Sequence, residues 1–172
     1  MRTRPPFFVP MPDEEKKKQL WISALRLLAA SPKSRKELER KLEGKGFSEA
    51  LIREAVEKLE DQGFLNDRRF ARDIVQRYRM VKPSGRRKIE FELRRRSIAP
   101  SLCQEVLAEV LPEDESRAAE ELAASQWLRH AKLPLLKRKK KIYDFLARRG
   151  YAFDICRDAL EKLAARNEQE IE

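Results

Sequence analysis

The stretch GFSEALIREAVEKLE, residues 46–60, recurs in pattern as SIAPSLCQEVLAEV at 97–110 and as GYAFDICRDALEKL at 150–163. Each copy opens on an apolar anchor, Phe47, Ile98 or Tyr151, followed by apolar side chains four, five, eight, nine and twelve places on. These are Leu51, Ile52, Ala55, Val56 and Leu59, then Leu102, Cys103, Val106, Leu107 and Val110, then Ile155, Cys156, Ala159, Leu160 and Leu163. Leu42, Leu93 and Leu146 lie five before the anchors, and Leu38, Ile89 and Ile142 nine before. The anchors are 51 and 53 residues apart. A period of that size with helical spacing inside each copy marks tandem helical units that bury their faces on one another. The expected fold is all-α, an elongated array of three tandem three-helix repeats.

Punctuation between apolar runs supplies the helix boundaries. The first four prolines fall within residues 1–12, which read as a flexible Pro-rich extension. A first repeat over 13–65 starts with a helix carrying Trp21, Ile22, Leu25 and Leu28 and stopping near Ser31 and Pro32, since a residue before proline disfavours helix. Ser34 and Glu37 form a capping box for the second helix, Gly44 and Gly46 close it, Ser48 caps the third, and Gly63 ends it. The second repeat, 66–112, begins at a cap on Asn66 or Asp67, with Phe70, Ile74 and Tyr78 on one face. It is interrupted at Pro83, Ser84 and Gly85, continues as a helix through Ile89 and Leu93 to a turn at Ser97, opens a last helix at Pro100, and ends at Pro112. The third, 113–172, turns Leu122, Ala123 and Trp127 inward, breaks near Leu133 and Pro134, and frays from Arg166.

Composition restricts the function. Charged residues make up 40% and hydrophobic ones 41% of 172 residues, with five glycines, which suits solvated helices rather than one thick core. No apolar run is long enough for a membrane span, so a cytoplasmic protein without membrane contact is expected. Cys103 and Cys156 fall at equivalent repeat positions and read as small core residues. His130 is the sole histidine, which leaves neither a metal-ligand set nor a Ser-His-Asp or Cys-His constellation. Gly44-Lys45-Gly46 lacks the spacing of a phosphate-binding loop. The chain reads as non-enzymatic, with no cofactor, no metal and no small-molecule substrate.

The net charge of +10 is concentrated. Arg77, Arg79, Lys82, Arg86, Arg87, Lys88, Arg94, Arg95 and Arg96 face only Glu90 and Glu92 within their stretch, and Lys132, Lys137, Arg138, Lys139, Lys140, Lys141, Arg148 and Arg149 face only Asp144. Aligned on the anchors, the second helices open on Arg35-Lys36-Glu37, Arg86-Arg87-Lys88 and Lys139-Lys140-Lys141. Cations at a helix start oppose its dipole, at roughly 0.3–1 kcal/mol each. Together with free backbone N–H groups they would seat phosphate. Such a surface reports the backbone of a nucleic acid without reading bases. The third helices open on Ser48-Glu49, Ala99-Pro100 and Ala152-Phe153, which supply no basic reading face for a DNA groove.

At the first repeat junction, GFLNDRRFARDIVQRY (63–78) followed by GRRKIEFELRRRSI (85–98) resembles the RecX family of recombinase regulators. The resemblance is carried by Gly63, Phe64, Leu65, Asn66, Asp67, Phe70, Ala71, Gly85, Arg86, Ile89, Glu92 and Leu93, and covers roughly residues 18–165. Two positions depart from the family pattern. Ser97 stands where glycine is usual, and Asn66 where an acid is usual. The resemblance implies a bacterial protein that binds RecA, chiefly as a filament on DNA, restrains its ATPase, strand-exchange and coprotease activities, and has no activity of its own. On that reading the two basic clusters meet acidic filament surface or DNA phosphate. The residues alone leave open a nonspecific DNA-binding protein or an adaptor for acidic protein segments.

Overall fold

The computed structural model describes residues 13–169, so the expected Pro-rich extension and residues 170–172 lie outside the described residues. Among the described residues every regular element is a helix, in the order α1 (Asp13–Ala30), α2 (Arg35–Glu43), α3 (Glu49–Asp61), α4 (Asp67–Met80), α5 (Arg86–Arg95), α6 (Pro100–Ala108), α7 (Pro112–Arg129), α8 (Leu135–Arg148) and α9 (Phe153–Gln169). The chain divides into two compact units, one ending at Asp67 and one beginning at Arg68.

The first unit is built on α1, α2 and α3. Leu20 and Ala24 of α1 pack with Leu38 and Leu42 of α2 and with Ile52, Ala55, Val56 and Leu59 of α3, closed off by Leu65. The core face of α1 is therefore turned one position from the expected stripe: Trp21, Leu25 and Leu28 flank the core, and Ile22 is exposed. The capping box forms as expected, with the Ser34 hydroxyl accepting from Glu37 N–H and the Glu37 carboxylate accepting from Ser34 N–H. Ser48 holds the N-cap position of α3 but makes no side-chain cap bond. Lys33, buried between α1 and α2, donates from Nζ to the Leu27 and Ser31 carbonyls at 2.6 and 2.8 Å, satisfying the end of α1.

The second unit contains two further triplets with separate cores. Phe70, Ala71, Ile74 and Val75 of α4 pack with Ile89 and Leu93 of α5 and with Cys103, Val106 and Leu107 of α6. Ala119, Ala123 and Trp127 of α7 pack with Ile142 and Leu146 of α8 and with Cys156, Ala159 and Leu163 of α9. Pro112 opens α7 as its first residue, with Leu111 at the N-cap, rather than closing the preceding triplet. α9 continues to Gln169, past Arg166.

One turn recurs at all three anchors. Residues Gly46, Ser97 and Gly150, each just before its anchor, have φ of 86°, 58° and 85°. The anchor N–H then donates five residues back, Phe47 to Leu42 O, Ile98 to Leu93 O and Tyr151 to Leu146 O, at 3.4, 3.1 and 3.3 Å. This is a Schellman closure, and it explains the five-residue interval between each buried leucine and its anchor. Ser97 adopts the same left-handed turn as the two glycines, despite its Cβ.

Between the second and third triplets, inside the second unit, the backbones approach closely. A Cβ on Gly85 would lie 2.4 Å from the Gly150 carbonyl oxygen, and one on Gly150 would lie 2.4 Å from Lys88 N. Gly85 N–H donates to Arg149 O at 2.9 Å, and the Arg149 guanidinium to Pro83 O at 3.1 Å. Gly85 thus serves as a contact that no side chain would allow.

Of the family-motif residues, Leu65, Phe70, Ala71, Ile89 and Leu93 are core, and Asn66 precedes α4 in the cap position. Gly63, at φ 74°, closes α3. Phe64 is not core: its side chain is 57% exposed, and only its N–H, donating to Leu59 O at 2.9 Å, serves the turn.

Candidate functional site

The sequence places seventeen cations in two basic clusters, and the structure sorts most of them into two kinds. The first kind is used internally. Arg79 pairs with Asp114 at 2.6 Å, and Arg94 with Glu90 at 2.5 Å. Lys88 and Arg95 both clamp Glu92, at 3.1 and 2.7 Å. Glu92 is 6% exposed, and a carboxylate so enclosed requires such partners. Burial alone would raise its pKa, but the bonds from Lys88 and Arg95 outweigh it and hold the carboxyl below its ordinary range. Arg96 lies 4.6 Å from the Phe70 ring centre, and Arg149 5.1 Å from that of Phe145. Arg138 stacks on Trp127 at 3.8 Å and donates to the Trp127 carbonyl from both Nε, at 2.9 Å, and a terminal nitrogen. Desolvation there lowers its pKa.

The second kind comprises Arg77, Lys82, Arg87, Lys137, Lys139, Lys140, Lys141 and Arg148, whose side chains form no ion pair or hydrogen bond among the described residues. Most lie on α8 or at the end of α4. Since they satisfy nothing inside the fold, their mutual repulsion is balanced only by solvent, salt or a partner.

The expected phosphate seats at the starts of the second helices are not present. α8 begins at Leu135 behind Pro134, one turn earlier than the repeat alignment implies. Lys139, Lys140 and Lys141 therefore sit inside the helix, where their backbone N–H groups are committed to the i−4 ladder. α5 does begin at Arg86, but its first N–H donates to Glu115 Oε1 at 2.8 Å, while the Arg86 side chain donates to Leu107 O at 3.1 Å. The Gly150 turn covers Lys88 N. At α2 the Arg35 N–H donates to Asp67 Oδ1 at 2.7 Å. In both helices a carboxylate occupies the place a phosphate would take, and it offsets the cationic first turn.

A second recurrent device spans the first and third helices of each triplet. Lys17 pairs with Glu54 at 3.0 Å, Arg68 with Glu105 at 2.5 Å, Arg72 with Glu109 at 2.6 Å, and Lys162 with Glu120 at 2.5 Å. The first three pairs share a separation of 37 residues, a spacing legible in the repeat once the helices are placed. What sequence reading missed altogether is an aromatic cleft between α8 and α9, of about 220 Å³, lined by Lys139, Tyr143, Phe153 and Arg157 among others. Phe153 gave a signal as an aromatic at a helix start, but its neighbour Tyr143 comes from another helix.

Cys103 and Cys156 are buried free thiols, raised in pKa by desolvation, as core cysteines should be. Among the described residues no cluster of histidine, cysteine or acid could hold a metal ion, and no helix is long and apolar enough to cross a membrane.

Fold and charge together define a class, the tandem three-helix-bundle proteins with an excess of positive charge. Models of the first, second and third three-helix domains of RecX match residues 21–59, 66–107 and 113–160. The chain is 35% identical over 158 residues to the regulatory protein RecX of Chlorobium phaeobacteroides, covering 89% of this chain and 98% of that one. It is 37% identical over 145 residues to the regulatory protein RecX of Pelodictyon phaeoclathratiforme, covering 81% and 86%. The crystal structure of RecX from Lactobacillus salivarius shares the fold, with a TM-score of 0.79 at 22% identity over 88% of this chain and 99% of that chain. The chain belongs to the RecX family of regulatory proteins.

Proposed function

We propose that the protein is a non-enzymatic regulator that binds RecA, and RecA polymerised on DNA. In this reading it restrains recombinase, ATPase and coprotease activities and so modulates recombination and the SOS response in the cytoplasm. The observation that carries this reading is the set of cations on α8 and the end of α4 that do nothing for the fold. Family membership supplies the regulatory role, and the unpaired charge supplies a surface for an anionic partner, either acidic protein or nucleic-acid phosphate. Lys88, Arg95, Arg138 and Arg149 are excluded from that surface in the proposal, because their heads already have partners.

The test is single-stranded-DNA-dependent ATP hydrolysis by the cognate RecA, titrated with this protein. Wild type should suppress hydrolysis at well below one inhibitor per RecA. The variant Lys140→Glu/Lys141→Glu should keep its helicity and melting temperature, since both side chains are exposed and unpaired, yet need about tenfold more protein for the same suppression. Equal inhibition by a folded variant would sink the assignment of this surface.

A further inference from the structure

We infer that the α8–α9 cleft is a stacking site for one unpaired base of a single-stranded nucleic acid. This goes beyond the regulator reading and stands without it. Phe153, the first residue of α9, is 61% exposed although its ring is held edge-on by Tyr143, with centroids 6.0 Å apart at 69°. A ring serving only the core would be covered. This one is fixed in orientation and left open, which is the form of a stacking platform: two torsions already ordered and a free π-face.

The surroundings identify the occupant. Lys139 and Lys140 lie four and three residues before Tyr143 on α8, so both flank the same face of the helix as the aromatic pair. Neither has a carboxylate partner. Lys139 lines the cleft itself. The cleft's one anion, Glu161, lies 3.7 Å from the Arg157 guanidinium, which is itself bonded to Asp158 at 2.9 Å, so the cation left to meet phosphate at the cleft is Lys139. An aromatic face beside unpaired lysines matches a strand whose base stacks while its phosphates meet cations. Duplex is disfavoured, because its bases are already stacked on one another and offer no free face. Since every base has a π-face, the site should be tolerant of sequence.

The experiment is fluorescence anisotropy of a labelled oligothymidylate, and of an abasic strand of equal length, with the full-length protein and no RecA. Phe153→Leu should weaken binding to oligothymidylate about tenfold, with an unchanged slope of log affinity against log salt and no effect on the abasic strand. Phe153→Trp should restore or strengthen binding, which also guards against a folding defect in the leucine variant. Lys139→Gln/Lys140→Gln should instead reduce the salt slope by roughly 1.4, about 0.7 for each lost phosphate contact, on both strands. The inference is overturned if wild type does not bind oligothymidylate, or if Phe153→Leu binds it like wild type, or if that variant loses both strands equally. Were Phe153→Leu to lose RecA inhibition alone, the cleft would be a socket for a protein side chain and the base-stacking site would be rejected. Failure of oligothymidylate binding with RecA inhibition intact would leave the regulator reading standing.

Discussion

Ser97 and Glu92 show what single residues contribute. Ser97 holds a backbone conformation, φ 58°, that its two repeat equivalents leave to glycine. A non-glycine residue there pays a steric cost that removing Cβ relieves, partly offset by the greater freedom of glycine in the unfolded chain. Ser97→Gly is therefore expected to raise stability by about 0.5–1 kcal/mol in a denaturant titration. Glu92 is the enclosed charge of α5, and its carboxyl is held below its ordinary value of 4.5 by Lys88 and Arg95. A depressed folded-state pKa contributes stability that is complete above the unfolded value and lost as pH falls through the folded one. The melting temperature should consequently drop as pH is lowered from about 5 toward 3, and Glu92→Gln should flatten that part of the profile while lowering stability near neutrality. An identical acid profile in the variant would show that Glu92 is not what titrates.

Helices are held by the leucine at each Schellman turn. Leu42, Leu93 and Leu146 are fully buried at the same register, each facing its own core. Leu93→Ala should cost about 2–5 kcal/mol by the lost transfer energy and the remaining cavity. Thermal or urea unfolding followed by circular dichroism would check it, and a cost under about 1 kcal/mol would contradict the burial. The Arg138–Trp127 stack is a second element-level feature: it ties α8 back to the end of α7, so its guanidinium is a clamp rather than a contact for a partner. α8 also differs from α2 and α5 by its extra first turn, which Pro134 sets by fixing where the helix can open.

At the scale of the whole molecule, three sequence repeats fall into two compact units, because the second and third triplets meet backbone to backbone. Gly85→Ala would drive a methyl to within 2.4 Å of the Gly150 carbonyl and Tyr151 N, where backbone on both sides has little room to yield. We expect a destabilisation of about 1–3 kcal/mol. Hydrogen exchange is the informative measurement, with protection lost on both sides of the contact, around residues 86–89 and 149–151, and not in α1–α3. A change confined to α5 would mean that the two triplets are not coupled there.

Periodicity and Pro/Gly punctuation determined the helix count, the core register of the second and third helices of each triplet and the position of the recurrent turn, since apolar spacing and glycine placement are local consequences of helix geometry. The core face of α1, by contrast, was off by one position. Sequence also located the excess of positive charge. Which of those charges are spent and which are free was decided by tertiary structure: Lys88 and Arg95 on buried Glu92, Arg138 on Trp127, and Glu115 on the first N–H of α5. The Phe153–Tyr143 cleft belongs to the same category. The reason is physical: a charge or ring in sequence is defined by its type, but its availability depends on groups brought near from other helices. A repeat fixes only what each helix shares with its copies, whereas Gly85 and Phe153 act through contacts with a neighbouring triplet or helix that the repeat pattern does not specify.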